Sequence, residues 1–353
     1  MTQTASLSDL SHAETLLDRR EAGALEAFHL AEAGGADPDS CAAGRWMAHM
    51  LAGDFASAWQ ESDSIRMRGA PDPNRMWNGE PLEGRRVIVR CLHGLGDSIQ
   101  VLRYAPQLGR MAAEVTFEVP PALLELAPCL QGMQRVITWG KLAPAEPVLC
   151  DSQVEVMELP YIFRTEMRDL PIAERYLHLP PSHRDTIGRA MGASYAPRVG
   201  VAWAAGDWNV SRSIPFSIFR LLLSEGGFEF WSLQGGAAQS DWDRLPSSAH
   251  LRDSACLGKG LLTPACVISQ LDLVITVDTL AAHLAGAMGI PAWVLLQRAA
   301  DWRWMSAGDT SPWYPSLRLF REPDAGGWAA LIEQVREELR IWTQTFNRSQ
   351  KIA

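Results

Sequence analysis

The chain has 353 residues, of which 47% are hydrophobic, and its 32 basic and 41 acidic side chains give a net charge of −9. This length predicts two or three domains with sizeable cores. The acidic balance, without any basic block, argues against nucleic acid as the main partner, because phosphate neutralisation needs clustered lysines and arginines.

Residues 1–70 are predicted to be helical. Ser11 and Glu14 have the spacing of a capping box, and apolar residues follow at helical spacing. Two more helices are predicted, one over 39–52 and one after the capping residue Asp54. The stretch "AAGRWMAHMLAGDFASAWQESDSI" has the helix–turn–helix rhythm of a tetratricopeptide repeat. One repeat is not stable alone, so we expect it to dock onto the next domain or to form one wall of a partner site.

A linker and a first α/β domain follow. Residues 71–85 are rich in proline and glycine without periodicity, which predicts a linker that packs through Trp77. From residue 86 to 190, short apolar runs alternate with helical stretches, the pattern of a parallel sheet with helical crossovers. Strands are predicted at 87–90, 115–119, 136–139 and 148–150, and helices at 98–110 and 122–130.

A second alternation over 191–327 predicts another doubly wound domain. Its strands are expected at 198–204, 228–234, 272–277, 292–297 and 317–320, and its helices at 215–224, 263–270 and 279–289. The last segment, 328–353, begins with a long helix carrying one apolar stripe. We expect this helix to pack back across the N-terminal α/β domain.

The sequence predicts a cytoplasmic protein. The first residues, MTQTASLSDLSHAE, lack the basic start and apolar core of a signal peptide. The most apolar stretch, 271–296, is broken by aspartates, a histidine and a proline and is not a membrane span. The cysteines form no CxxC pair and no metal-ligand spacing, which predicts reduced core thiols and no metal site.

The first candidate site is "CLHGLGDSIQVLRYAP", residues 91–106, where a strand, a glycine turn and a helix start follow one another. Such a helix start normally receives an anion. A carboxylate at Asp97 would repel a phosphate, so the loop should face a neutral group or a proton to be removed. Asp97 is either a general base or only the cap of the helix that follows. His93 is a candidate partner, or a solvated loop histidine.

The second candidate site is the end of the strand at 272–277. Thr279, with the backbone N–H groups of Leu280 and Ala281, has the arrangement that holds a diphosphate at a helix start. Asp278 precedes them and is either part of the site or a helix cap. His283 lies one turn into the helix, where it either reaches a phosphate or ribose or fills the core.

The third candidate site is "WAAGDWNVSRSIPF", residues 203–216. Arg212 offers a forked donor to a phosphate or carboxylate, its alternative being an exposed arginine. Trp203 and Trp208 either stack on a base or sugar face or pack in the core. The loop 298–315 holds four more aromatic residues, which form either a sugar or nucleotide platform or a small satellite core: Trp302, Trp304, Trp313 and Tyr314.

Six motifs in order over residues 79–321 carry a family resemblance. They are "GEPLEGRRVIVRCLHGLGDSIQVLRYAP", "RVGVAWA" with "SRSIPF", "SLQ", "DLVITVDTLAAHLAGAMGIPAWVLL", "DWRW", and "SPWYP" with "LRLFR". Together they resemble the bacterial tetratricopeptide-repeat glycosyltransferases, whose catalytic part is similar to the ADP-heptose:lipopolysaccharide heptosyltransferases of glycosyltransferase family 9.

The resemblance implies a GT-B fold, with two Rossmann-like doubly wound domains facing a cleft and a short all-α tetratricopeptide-like segment before them. It implies inverting, metal-independent transfer from a nucleotide-sugar, which is a substrate, so no cofactor is expected. Asp97 in the Gly-Asp turn would be the general base for the acceptor hydroxyl. The acceptor side would comprise His93, Gly94, Gly96 and Gln100. The donor side would comprise Trp203, Arg212, Gln234, Asp278, Thr279, Leu280 and His283.

The resemblance implies an acceptor that is a protein or a glycan, and two alternatives to such a transferase remain open on the sequence. One is a catalytically silent module that binds a nucleotide and contacts a protein. The other is a lipopolysaccharide-type sugar transferase that acts on a glycolipid at the inner face of the membrane, favoured by scattered arginines near residues 60–90. A thin helical segment with exposed tryptophans also favours a homodimer.

Overall fold

The computed structural model describes residues 2–68, 77–140, 148–171, 175–206, 209–244, 251–324 and 326–346. The chain divides into two compact units, Met1–His178 with Ala299–Pro315 and Leu179–Arg298 with Ser316–Ala353. The described part of the predicted linker, from Trp77 onward, belongs to the first unit, and so does the predicted helical domain. The rest of the linker, including Arg75, and the predicted site residue Trp208 lie outside the described residues.

The first unit begins with four helices, here called the helical segment: α1 (Thr2–Asp18), α2 (Ala24–Ala33), α3 (Pro38–Ala52) and α4 (Phe55–Arg68). Asp37 caps α3 by accepting a hydrogen bond from the Ser40 N–H at 2.8 Å. The predicted capping box at Ser11 is wrong, because Ser11 lies inside α1 and its carbonyl accepts a hydrogen bond from Thr15 Oγ1. No proline or glycine precedes Ser11 to stop a helix earlier in the chain.

The first sheet is parallel, with the strand order β3-β2-β1-β4. Its elements are β1 (Arg86–Arg90), α5 (Leu95–Val101), α6 (Ala105–Met111), β2 (Glu114–Val119), β3 (Arg135–Thr138), β4 (Ser152–Glu155) and α7 (Leu159–Ile162). The strand predicted at 148–150 is therefore placed too early. The helix predicted at 122–130 is wrong, because two short 3-10 turns form there instead, around the prolines that cannot donate helix hydrogen bonds.

The second unit holds a six-stranded parallel sheet with the order β10-β9-β8-β5-β6-β7. Its elements are α8 (Pro181–Met191), β5 (Arg198–Ala202), α9 (Phe216–Phe219), β6 (Glu229–Ser232), β7 (Leu251–Asp253), α10 (Leu262–Ile268), β8 (Leu273–Val277), α11 (Leu280–Met288), β9 (Ala292–Leu296), β10 (Leu317–Arg321) and α12 (Gly327–Thr345). The described sheets of both units are thus parallel α/β sheets, as predicted.

The C-terminal helix α12 packs inside the second unit. Its apolar stripe, Leu331, Ile332, Val335 and Leu339, is fully buried in one cluster with the residues of β5, β8 and α9. The structure therefore assigns α12 to the second unit, and its packing across the N-terminal α/β domain stays a prediction.

Residues 299–315, here called the aromatic loop, connect β9 to β10 in sequence but belong to the first unit. The four aromatic residues of the loop are buried: Trp302, Trp304, Trp313 and Tyr314. Trp302 meets Trp46 of α3 edge to face at 5.8 Å between ring centroids, and Trp313 stacks on Phe55 of α4 at 5.9 Å. The loop is therefore a satellite core rather than an open platform for a ligand.

The helical segment is tied to the rest of the first unit by polar contacts from α4. Trp59 Nε1 donates to the Thr165 carbonyl at 2.8 Å. The carboxylate of Asp63 accepts hydrogen bonds from Nη1 and Nη2 of Arg164, at 2.9 and 2.8 Å, and from the Tyr161 hydroxyl at 2.6 Å. The Arg164 guanidinium lowers the pKa of Asp63, against the opposing effect of burial.

We expect the Gly44→Ala variant to lower the unfolding temperature. A Cβ atom at Gly44 in α3 would lie 2.2 Å from the ring of Phe28, which is buried. Overpacking of this kind costs about 1–3 kcal/mol, more than the gain of about 1 kcal/mol from alanine in a helix. Gly109→Ala in α6 is the matched control, since its Cβ meets only a flexible glutamine side chain. Phe28→Leu should restore part of the loss, and a Gly44→Ala protein as stable as the original would contradict this packing.

Acid should weaken the contact of Asp63 with Arg164. Because the folded pKa of Asp63 is lowered, its contribution to stability is complete above the usual aspartate pKa of about 4 and is lost as the pH falls through the folded pKa. The unfolding temperatures of the original protein and of Asp63→Asn should therefore differ at neutral pH and converge in acid. Asp169→Asn, at an exposed ion pair, is the control. A difference that did not depend on pH would exclude this linkage.

Candidate functional site

Asp97 lies at the carboxyl end of β1, in the first turn of α5. The strand order reverses between β1 and β4, and such a switch point is where open parallel sheets bind their ligands. Asp97 Oδ2 accepts the backbone N–H of Gly94, the N-cap residue, at 3.2 Å. Asp97 therefore caps the start of its helix through Oδ2. Its other oxygen, Oδ1, takes part in a second interaction.

That second interaction is an ion pair with Arg303 of the aromatic loop. Arg303 Nη2 lies 2.9 Å from Asp97 Oδ1, and Arg303 Nη1 lies 2.7 Å from Asp301 Oδ1. The Arg303 side chain is only 14% exposed. Arg303 is not among the residues predicted from the sequence, where its only signal is its place within the motif "DWRW".

His93 follows β1 and is paired with Glu155, which is also not among the residues predicted from the sequence. Its Nε2 lies 3.6 Å from Oε2 of Glu155, the last residue of β4, which the sheet register places opposite Arg90. Burial raises the pKa of Glu155, so this carboxyl group holds a proton more readily than a solvated glutamate. Glu155 was not predicted as a site residue because the strand was predicted at 148–150, whereas β4 spans Ser152–Glu155.

The other predicted acceptor-side residues differ in their accessibility. Gly94 is exposed and extended, and a Cβ there would meet Asp97 Oδ2 at 3.0 Å, so the glycine leaves room for the carboxylate. Gly96 is half-buried in the first turn of α5. Gln100 is only 1% exposed, and neither atom of its side-chain amide has a hydrogen-bond partner among the described residues. Gln100 therefore lies beneath the surface of its unit, and its place on the acceptor side stays a prediction.

In the second unit, an ion pair lies across the corresponding switch point. The strand order reverses between β5 and β8. Arg212, in the loop after β5, places Nη1 3.3 Å from Oδ2 of Asp278, which directly follows β8. Thr279 caps α11 by accepting the N–H of Ala281 at 3.3 Å. The structure thus brings Arg212, Asp278 and Thr279 together at the carboxyl edge of the sheet, where a ligand is expected.

Trp203 and Gln234, two of the predicted donor-side residues, are held by contacts within the second unit. Trp203 is 1% exposed, packs against Phe216 and Phe219, and donates its ring N–H to Asp241. Gln234 accepts the backbone N–H groups of Trp203 and Ala204 with one oxygen. Both side chains are therefore fixed by the protein. The burial of Trp203 favours the alternative in which its ring packs in the core.

The remaining donor-side residues lie on α11. Leu280 is its first residue and is half-buried. His283 is 4% exposed, which favours the core alternative over direct contact with a ribose. The rest of this helix is dominated by small residues and is buried on nearly all sides, so it lies close to β8 and β9.

The cysteines of the chain are all free, with Cys150 and Cys256 exposed and the other four buried. Burial raises the pKa of Cys91 to about 12, so this thiol is not a nucleophile near neutral pH. In the described part of the chain, no group of three or more histidines, cysteines and carboxylates has the arrangement of a metal site. None of the described helices combines the length and apolarity needed to cross a membrane.

Comparisons with known proteins agree with this architecture. No family model matches the chain. The protein FlbA of Caulobacter vibrioides is 24% identical over 315 residues, which are 82% of this chain and 52% of FlbA, so the chain spans about half the length of this relative.

Two solved structures share the fold. A family 9 glycosyl transferase from Veillonella parvula matches with a TM-score of 0.54 and 13% identity over 76% of this chain and 100% of its own. The ADP-heptose lipopolysaccharide heptosyltransferase II of E. coli matches with a TM-score of 0.55 and 15% identity over 74% of this chain and 99% of its own. The chain therefore has a mixed α/β fold with parallel sheets, like that of the GT-B glycosyltransferases.

Proposed function

We propose that this chain is a glycosyltransferase that moves a sugar from a nucleotide-sugar to an acceptor hydroxyl. The observation that carries the proposal is the placement of its polar residues: Asp97 in one unit, and Arg212 with Asp278 and Thr279 in the other, stand at the switch points of two parallel sheets. The GT-B-like fold and the family 9 relatives support the same assignment.

Asp97 is the proposed general base. Its carboxylate takes the proton of the acceptor hydroxyl while the acceptor oxygen forms a bond to the anomeric carbon. The bond from that carbon to the diphosphate breaks, and the electron pair leaves with the nucleotide. Because one displacement occurs, the anomeric configuration inverts. Each residue acts here as an acid, a base or a hydrogen-bond donor, so the proposed reaction needs neither a metal nor a cofactor.

Arg212 and the start of α11 are proposed to bind the diphosphate. The guanidinium is a forked donor suited to phosphate oxygens, and Asp278 holds it in place at 3.3 Å. Charge that develops on the leaving group is stabilised best by donors that are already oriented. The Arg212–Asp278 pair therefore supports the leaving group without having to reorganise during transfer.

We propose a protein as the acceptor, with a free glycan as the second choice, because the helical segment is part of the unit that carries Asp97. The glycolipid alternative relied on arginines near residues 60–90. Arg68 is paired with Asp39 at 2.6 Å and Arg86 with Asp151 at 2.9 Å, and Arg66 donates to Asn78. These pairings weaken the case for a basic surface that binds anionic lipid.

Nucleotide binding tests the donor side. We expect one nucleotide among UDP, ADP, GDP, dTDP and CMP to raise the unfolding temperature, since a ligand at a hundred times its Kd adds about 2.7 kcal/mol. Arg212→Gln should weaken that affinity about 10- to 100-fold, because a charge-assisted hydrogen bond contributes about 1.5–3 kcal/mol. Arg298→Gln, at an exposed ion pair of the same unit, is the control and should bind normally. If no nucleotide shifts the transition, the proposed donor site is wrong.

Turnover with and without Asp97 tests the base. Asp97→Asn should lower kcat for release of the nucleotide from the matching sugar nucleotide by about 100- to 10,000-fold, because the amide cannot take a proton. The affinity for the nucleotide should stay within about twofold, since Asp97 is not a donor-side residue. Nucleotide binding without turnover in the original protein, with every sugar and a range of peptide and glycan acceptors, would instead support the catalytically silent module.

A further inference from the structure

We propose that Arg303 is a positioning residue that fixes the carboxylate of Asp97 for proton transfer; this inference rests on the proposed function. The two oxygens of Asp97 are each held by a donor from a different segment. Arg303 Nη2 reaches Oδ1 at 2.9 Å, and the Gly94 N–H reaches Oδ2 at 3.2 Å. A carboxylate held at both oxygens cannot rotate, and each oxygen keeps a second lone pair to accept the acceptor hydroxyl.

Arg303 is shared between two carboxylates, and this arrangement suits a base that changes charge. When Asp97 takes a proton, it no longer compensates the guanidinium. Asp301 lies 2.7 Å from the other end of the guanidinium and remains as its counterion. The half-buried arginine is therefore never left without a charge partner, a situation that becomes more unfavourable as a charge is removed from water. An exposed arginine that paired with Asp97 alone would neither fix the orientation of the carboxylate nor keep a counterion after Asp97 takes a proton.

The backbone around Arg303 is itself held firmly. Asp301 accepts the Arg303 N–H at 3.0 Å, and the guanidinium lies 4.8 Å from the centroid of the Trp302 ring. Met305 has a φ of +59°, a left-handed conformation that non-glycine residues adopt only when their surroundings enforce it. The next residue, Ser306, donates its N–H to the Leu51 carbonyl at the end of α3. Arg303 is thus placed by the docked loop rather than by its pairing with Asp97.

The test compares Arg303→Ala and Arg303→Lys with Asp97→Asn in the full chain, using the sugar nucleotide that the original protein turns over. We expect Arg303→Ala to lower kcat about a hundredfold, the size of effect seen when a catalytic group is misplaced. The KM for the donor should change less than about twofold, because the base lies outside the donor site. Arg168→Ala, at an exposed ion pair of the first unit, is the control and should keep the original kcat.

Chemical rescue separates positioning from a merely structural role. Guanidinium chloride at non-denaturing concentration should restore part of the kcat of Arg303→Ala, because the ion fits the space left by the side chain. It should restore nothing in Asp97→Asn. Arg303→Lys should keep more activity than Arg303→Ala. Both variants should show the nucleotide-induced thermal shift of the original protein, because Arg303 lies outside the proposed donor site.

Three outcomes would overturn the inference. They are an Arg303→Ala variant with the original kcat, a loss confined to the donor KM, and a loss that neither guanidinium nor lysine restores. Failure of the proposed function would give a different result. Either the original protein would show no turnover, or Asp97→Asn would keep the original turnover, and neither result depends on the residue at position 303.

Discussion

The first unit depends on one buried cation, Arg103, just after α5. Its guanidinium donates to the carbonyls of Gln100 and Trp313, each at 2.7 Å, and lies 4.7 to 5.4 Å from the ring centroids of Tyr176, Trp313 and Tyr314. Removing a guanidinium from water costs several kcal/mol unless hydrogen bonds and aromatic faces replace its hydration. The protein supplies both by laying the aromatic loop against α5. That same docking brings Arg303 to Asp97, so the geometry of the candidate base follows from the solvation of Arg103.

The sequence predicts the fold best where strands are buried on both faces. Most strands of the two parallel sheets are short apolar runs, so β1, β5, β8 and β9 are visible without any knowledge of their neighbours. The short edge strand β7 (Leu251–Asp253) contains an arginine and an aspartate and gives no such signal. The amphipathic stripe of α12 predicts a helix correctly but not its partner, because a stripe matches any apolar surface of similar width. The surface against which α12 packs depends on which apolar face of the second unit's sheet the other helices leave uncovered.

The candidate site is visible in the sequence only where its residues lie next to strand ends. Asp97, Arg212, Asp278 and Thr279 each follow a predicted strand, and the parallel fold places such residues at the carboxyl edge. Arg303 reaches the site from a distant part of the chain, so no local spacing could reveal its pairing with Asp97. Aromatic residues near strand ends are ambiguous for another reason. A tryptophan there has the same sequence context whether its ring faces a ligand or, like Trp203, is enclosed by phenylalanines of its own unit.

The helical segment uses its aromatic side chains inside the first unit. Trp46 and Phe55 contact the aromatic loop, and Trp59 donates to Thr165. The two tryptophans of the segment, which were predicted to be exposed, are therefore half-buried (Trp46) and buried (Trp59). Because the loop is held at α3 by both a ring contact and the hydrogen bond from Ser306 to Leu51, its conformation depends on the helices. The helical segment therefore contributes to the position of the loop whose Arg303 forms the ion pair with Asp97.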